Sequence, residues 1–254
     1  MYHTGFESLT MPAFLTAEWR YVAMLNYAVD RAVLADLVPR GTELDEFEGK
    51  TYVSLVGFRF ERTRVRGLWI PFHSDFDEVN LRLYVRRTVA GEVRRGVAFV
   101  REIAPRWAIA KVAQVCYGEK YVALPMRHKV IEPTSEGGRV QLEYAWRHEQ
   151  NWSVIRAEAS GRPAAPPADS REAFFTEHYW GYSASVGDAT MEYRVEHDPW
   201  RIWPSASASF EGNAIGFYGA DLGQRLIRPP DSVLVAEGSS VTVHSGQKLP
   251  GLGG

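Results

Sequence analysis

The sequence predicts a mainly β protein, an antiparallel sheet closed into a barrel or folded into a sandwich, with two helices inserted (an α+β composition by strict count). Three observations predict it. Apolar residues recur at every second position in several windows, turn residues separate those windows at short intervals, and only two windows carry helical spacing. In a closed sheet the two faces of each strand become outside and inside, so each polar residue poses one question: which face it occupies.

"WRYVAMLNYAVD" (19–30) is apolar and aromatic enough for a buried strand. "RAVLADLVPRGTELDEF" follows, with Val33, Leu34, Leu37 and Val38 at helical spacing until Pro39 and Gly41 stop it. In "KTYVSLVGFRFERTRV" (50–65), Tyr52, Ser54, Val56, Phe58 and Phe60 share one side of a strand. "FHSDFDEVNLRLYVRR" (72–87) divides cleanly: Val79, Leu81, Leu83 and Val85 against Glu78, Asn80, Arg82, Tyr84 and Arg86. "VAGEV" is a short Gly-containing link to "RRGVAFVREIA" (94–104), so these two strands form a hairpin. "PRWAIAKVAQVC" then carries Ala108, Val112 and Val115 at helical spacing, with Pro105 in the first turn and an end near Tyr117 and Gly118.

"RVQLEYAWRHEQNWSVIRAEAS" alternates through Val140, Leu142, Tyr144, Trp146 and His148, and continues with Trp152, Val154 and Ile155 as a further strand. "GRPAAPPADSRE" (161–172) reads as a surface loop because its prolines block any regular element through its middle. Strands resume at "MEYRVEH" and "SVLVAEGSSVTVHS". A single domain over residues 1–245 is expected, with 246–254 a flexible tail.

Composition excludes several function classes. With 45% hydrophobic residues and 24% charged, the 254-residue chain has ample surface to bury, and its net charge of −2 comes with no basic stripe of the kind nucleic acid requires. The one cysteine, Cys116, allows no internal disulfide, the N-terminal residues lack a secretory pattern, and no window has the roughly 20 apolar residues of a membrane span, so a cytoplasmic location is expected. The seven histidines show no H-x-x-x-H pair and no His/Cys cluster, and no phosphate-binding, dinucleotide-binding or G-x-S-x-G motif occurs. Neither metal nor cofactor is expected, and the partner is a small molecule; a homo-oligomer is compatible with the sequence.

What remains is a polar set on strand signals: Arg20, Glu78, Asn80, Arg82, Lys120, Tyr121, His178 and Glu196. Exposed strand faces are the commoner home for such residues, and a solvated turn the commoner home for Lys120, unless desolvation lowers its pKa and makes it an amine nucleophile. "FFTEHYWGYSASVGDATMEYRVEHDPW" (174–200) is richer in aromatics than a core strand needs. His178, Tyr179, Trp180 and Tyr182, then Tyr193, Val195 and His197, form either an aromatic layer under a hairpin or the wall of a ligand pocket.

The runs "RYVAMLNYAVDRAVLADLVPRGTELDEFEGKTYVSLVGF", "FDEVNLRLYV", "GVAFVREIAPRWAIAKVAQVCYG" and "HYWGYS…EYRVEHDPW" resemble the YqjF-like family of uncharacterised bacterial proteins, the domain of unknown function 2071, across nearly the whole chain. That family is similar, more distantly, to acetoacetate decarboxylase, which implies a mainly β barrel or cone with an internal cavity. The resemblance implies a ligand-binding role for Arg20, which matches a decarboxylase arginine ahead of Tyr27, Asp30, Val38 and Pro39, and an active-site carboxylate at Glu78 in Phe76-Asp77-Glu78. Where those decarboxylases carry Pro-Lys-Lys, this chain has "YGEKYVAL": Tyr121 falls at the Schiff-base lysine and Lys120 at the proline. The expected site is therefore Glu78, Lys120 and Tyr121 for chemistry, with Arg20, Asn80, Arg82, His178 and Tyr182 for binding. Three readings stay open: a cavity protein for a small polar organic molecule such as a carboxylate, a keto-acid lyase acting through a lysine imine, and a filled barrel with no ligand.

Overall fold

The two faces of "FDEVNLRLYV" both turn out to be buried, and the fold explains how. In the computed structural model, which describes residues 12–71, 73–105, 120–135, 137–184 and 189–249, seven strands close into a ring. They are β1 (Ala13–Val29), β3 (Thr51–Val65), β5 (Phe76–Val89), β6 (Glu92–Ala104), β11 (Trp180–Ala184), β12 (Thr190–His197) and β14 (Ser232–His244). The order β5-β3-β1-β14-β12-β11-β6 returns to β5. Short strands β2 (Glu43–Leu44), β4 (Leu68–Trp69), β7 (Tyr121–Ala123) and β15 (Gln247–Lys248) pair onto it. A second, antiparallel sheet has the order β13 (Ser205–Glu211), β10 (Asn151–Ser160), β9 (Arg139–His148) and β8 (Met126–Ile131).

The ring is not a regular barrel. Long antiparallel ladders run from β14 through β1, β3 and β5 to β6, whereas β12 meets β14 over only three registered pairs. β11 meets β6 over Trp180–Tyr182 alone, and in parallel, against the antiparallel pairing expected from the sequence. A buried ion cluster spans that seam: Glu192 of β12 takes Arg87 of β5 at 3.0 Å and Arg94 of β6 at 2.9 Å, with Tyr182 of β11 and Gln247 of β15 donating at 3.2 Å. Part of the segment read as a flexible tail is therefore paired to the sheet, Gln247 and Lys248 lying opposite Glu192 and Met191.

Alternation along each strand makes two cores. Outward residues Leu25, Val53, Leu55, Val79, Leu81 and Leu83 pack against the second sheet through Tyr144, Trp146 and Ile155. Gly57 lets the two sheets approach closely, since a Cβ there would lie 2.6 Å from the Tyr144 ring. Inward residues Met24, Val56, Phe58, Phe60, Phe76 and Tyr84 belong to the other core, inside the ring.

Local signals account for the connections. Ala90 and Gly91, both at positive φ, close the β5–β6 hairpin in the manner its twist favours. Helix α1 (Arg31–Leu34) is capped by Asp30, whose carboxylate accepts from the Ala32 amide, and passes at once into a 3-10 turn (Ala35–Leu37) before Pro39. The helix expected from Pro105 to Gly118 lies, after its first residue, outside the described residues. Three helices went unread in the sequence: α2 (Arg171–Thr176, capped by Ser170), α3 (Ala214–Tyr218, capped by Asn213) and α4 (Ala220–Leu226). At five to seven residues each they are too short to show a period. No helix of the described residues is long and apolar enough to cross a membrane.

Candidate ligand-binding cavity

The ring encloses a cavity of about 220 Å³, and the polar face of β5 looks into it through Glu78, Asn80 and Arg82. Strand register orders the walls. Phe60 pairs with Phe76, Phe58 with Glu78, Val56 with Asn80 and Ser54 with Arg82, while Glu102 of β6 lies opposite Asn80 and Tyr121 of β7 opposite Glu102. Below Arg82 the lumen is filled. Ser54 donates to Asn26 at 2.6 Å and contacts the Tyr84 hydroxyl at 2.5 Å, and Phe175 of α2 sets its ring 5.2 Å from Tyr52 and 5.5 Å from Tyr84. Toward the other end the wall is aromatic and leads to Ile70 and His73 of the β3–β5 connection.

Glu78, 2% exposed, is the centre of the polar section. The Tyr121 hydroxyl donates to its Oε2 at 2.5 Å and the Asn80 amide to its Oε1 at 2.9 Å. Burial pushes its carboxyl up to about 7, and the Tyr121 and Asn80 hydrogen bonds and the Arg82 charge only partly offset that. Near neutral pH it can hold or release a proton. Arg82 donates to the Phe175 carbonyl at 3.2 Å and stands 5.7 Å from the Tyr84 ring, and it makes no ion pair with a carboxylate among the described residues. His178, on the cavity wall, is buried, with Nε2 3.6 Å from the Asp45 carboxylate, which Arg95 also binds at 2.7 Å. Burial drives its imidazole down to about 4 despite Asp45, so the ring is neutral at neutral pH.

Five of the eight expected site residues meet here: Glu78, Asn80, Arg82, Tyr121 and His178. Three do not. Arg20 lies off the cavity wall, paired to Glu18 at 2.5 Å, because β1 bulges at Tyr21. Counting back from inward Met24 and Val22 in steps of two places Arg20 inside; Tyr21 at φ 55 inserts one extra residue, so Trp19 faces in and Arg20 faces out. Lys120 is exposed and, with Tyr182, borders a separate niche of about 20 Å³ rather than the cavity. Tyr182 points outward because its neighbour Gly181 takes the inward position, beneath the Tyr193 ring. Glu196 is also outside, between Arg194 at 3.2 Å and His244 at 3.3 Å.

Sequence reasoning missed Glu102, a second buried carboxylate on the cavity wall. Val97 and Phe99 face in, and a strict alternation then selects Arg101; the register shift opposite Leu81 and Arg82 advances the pattern by one and brings Glu102 in. Trp19, Trp200 and His197 were also unassigned as wall residues or left ambiguous, although Tyr193, Val195 and His197 already alternated in the sequence. Among the described residues no lysine lines this cavity, and no group of three His, Cys, Asp or Glu side chains could hold a metal ion.

The fold is similar to that of acetoacetate decarboxylase-like proteins. The crystal structure of acetoacetate decarboxylase from Legionella pneumophila superposes with a TM-score of 0.64 at 14% identity, covering 95% of this chain and 89% of that one. The enduracididine biosynthesis enzyme MppR, solved with pyruvate bound, gives 0.64 at 16% identity over 98% and 95% of the two chains. Within that fold the chain belongs to the DUF2071 family of uncharacterized conserved proteins, whose family model matches residues 16–240. It is similar to the uncharacterized protein YqjF of Bacillus subtilis, 27% identical over 202 residues and 78% of each chain.

Proposed function

We propose that the chain takes a small organic acid into the ring, binds its carboxylate with Arg82, and exchanges a proton with the bound molecule through Glu78 and Tyr121. The observation that carries this is the Arg82 guanidinium: it faces the cavity and makes no ion pair in contact with a carboxylate among the described residues, so an anionic ligand supplies a direct counter-charge. Asn80 holds the Glu78 carboxyl in place, and a carboxyl with a pKa of about 7 hydrogen-bonded to a phenol suits proton transfer at a carbon beside a carbonyl. MppR with bound pyruvate shows that a relative of the same fold accommodates a 2-oxo acid. Arg20 and Lys120 have no part in this reading, and an imine mechanism finds no support in Lys120, which is exposed and off the cavity wall.

Calorimetric titration with pyruvate tests the binding half: Arg82→Gln is expected to weaken it about tenfold or more, as loss of a charge-assisted pair does. Deuterium incorporation at the pyruvate methyl, followed by NMR, tests the proton half. Acceleration by the parent chain and a loss of about 100-fold in Glu78→Gln are expected. Pyruvate affinity that ignores Arg82 overturns the assignment.

A further inference from the structure

We infer that the acid selected by this cavity carries an aryl body, making the site one for a ring-bearing, short-chain organic acid; the inference rests on the organic-acid reading above. The lumen is divided along its axis. Its carboxyl, amide and guanidinium groups, Glu78, Asn80, Arg82 and Glu102, are gathered with the Tyr121 phenol on three adjacent strands, and below them Phe175 and Tyr84 leave no room. An acid anchored at Arg82 therefore directs the rest of its body the other way, toward Trp19, Phe58, Phe60 and Trp200.

Size and shape then narrow the class. A cavity of about 150 Å³ is enough to admit benzene, so one of about 220 Å³ holds a phenyl ring with the few further atoms of a carboxylate and a carbonyl. Trp19 stands edge-on to its neighbours, meeting Phe58 at 72°, Phe60 at 90° and Trp200 at 79°, while Phe60 stacks on Phe76 at 14°. Such a set offers both faces and edges, which suits a flat ring in offset or edge contact better than a branched alkyl chain.

The test is calorimetry on the full chain with pyruvate, phenylpyruvate and 4-methyl-2-oxopentanoate, repeated in Val195→Phe, which fills the apolar section, and in Arg82→Gln. Phenylpyruvate is expected to bind about tenfold or more tighter than pyruvate, as burial of a ring predicts, and severalfold tighter than the alkyl acid. Val195→Phe should remove that advantage and leave pyruvate affinity in place, while Arg82→Gln weakens every acid by a similar factor. Phenylpyruvate binding no tighter than either competitor, or an advantage that survives Val195→Phe, overturns the aryl assignment and leaves the organic-acid reading standing. No acid binding to the parent, or affinities indifferent to Arg82→Gln, overturns both.

Discussion

Glu78 and His178 are the two residues whose burial gives them opposite effects on stability as pH changes. Glu78 has a folded pKa of about 7 against an ordinary 4.5. Between those values the unfolded chain releases a proton that the folded chain keeps, so this group makes stability fall as pH rises through that window. His178 has a folded value of about 4 against 6.5, so the unfolded chain binds a proton that the folded chain refuses, and this group makes stability fall as pH drops from 6.5 toward 4. From about 4.5 to 6.5 the two slopes oppose each other. Glu78→Gln removes one and exposes the other: relative to the parent, its stability should improve steadily from pH 4.5 to pH 7, by up to about 3 kcal/mol. Urea titrations of both proteins at four or five pH values check this, and a constant difference across the range would refute the raised carboxyl. Of these two residues the sequence showed the identity and, for Glu78, the strand face; the burial that moves their pKa values comes from the closed ring, and the partners that partly offset it, Tyr121 and Asp45, lie 43 and 133 residues away in the chain.

Strands were legible wherever alternation was unbroken and misleading where it broke. Tyr52 through Phe60 and Glu78 through Tyr84 share the faces their period assigns, so Glu78, Asn80 and Arg82 were readable as a group. Arg20 and Glu102 were misassigned or overlooked because a single extra residue at Tyr21, and another beside Val100, reverses the faces beyond it without changing composition. The β1 bulge has a partner that can be tested: Gly238, at φ 79, lies opposite Arg20, and a Cβ there would sit 2.0 Å from the Trp19 carbonyl oxygen. Gly238→Ala should therefore cost about 1–3 kcal/mol or more, read as a lower denaturation midpoint. The β11–β6 seam makes a second demand. With three parallel pairs to hold it, the ring relies there on Glu192, and Glu192→Gln leaves Arg87 and Arg94 without their carboxylate at a cost of about 3–5 kcal/mol. A variant as stable as the parent would show that the cluster does not brace the seam.

At the scale of the whole molecule, the fold supplies a lumen; the chemistry depends on which side chains occupy its inward positions. The closed sheet and the family were legible because alternation and dispersed motifs run nearly the length of the chain, whereas the contents of the lumen depend on ring closure between strands as distant as β1 and β14. Imine chemistry on a keto acid needs an amine that is both desolvated and within reach of the bound carbonyl. Lys120 is exposed and borders a different niche, while the neighbouring inward position belongs to Tyr121, a phenol already donating to Glu78. Treating the chain with pyruvate and borohydride should therefore add no mass to Lys120, by peptide mass spectrometry, under conditions where pyruvate is bound. Tyr121→Lys places an amine beside Glu78 instead, and the same treatment should then label residue 121. An adduct on Lys120 of the parent would mean that Lys120 moves to deliver its amine to the ligand, and the proton-transfer role given to Glu78 and Tyr121 would fall with it.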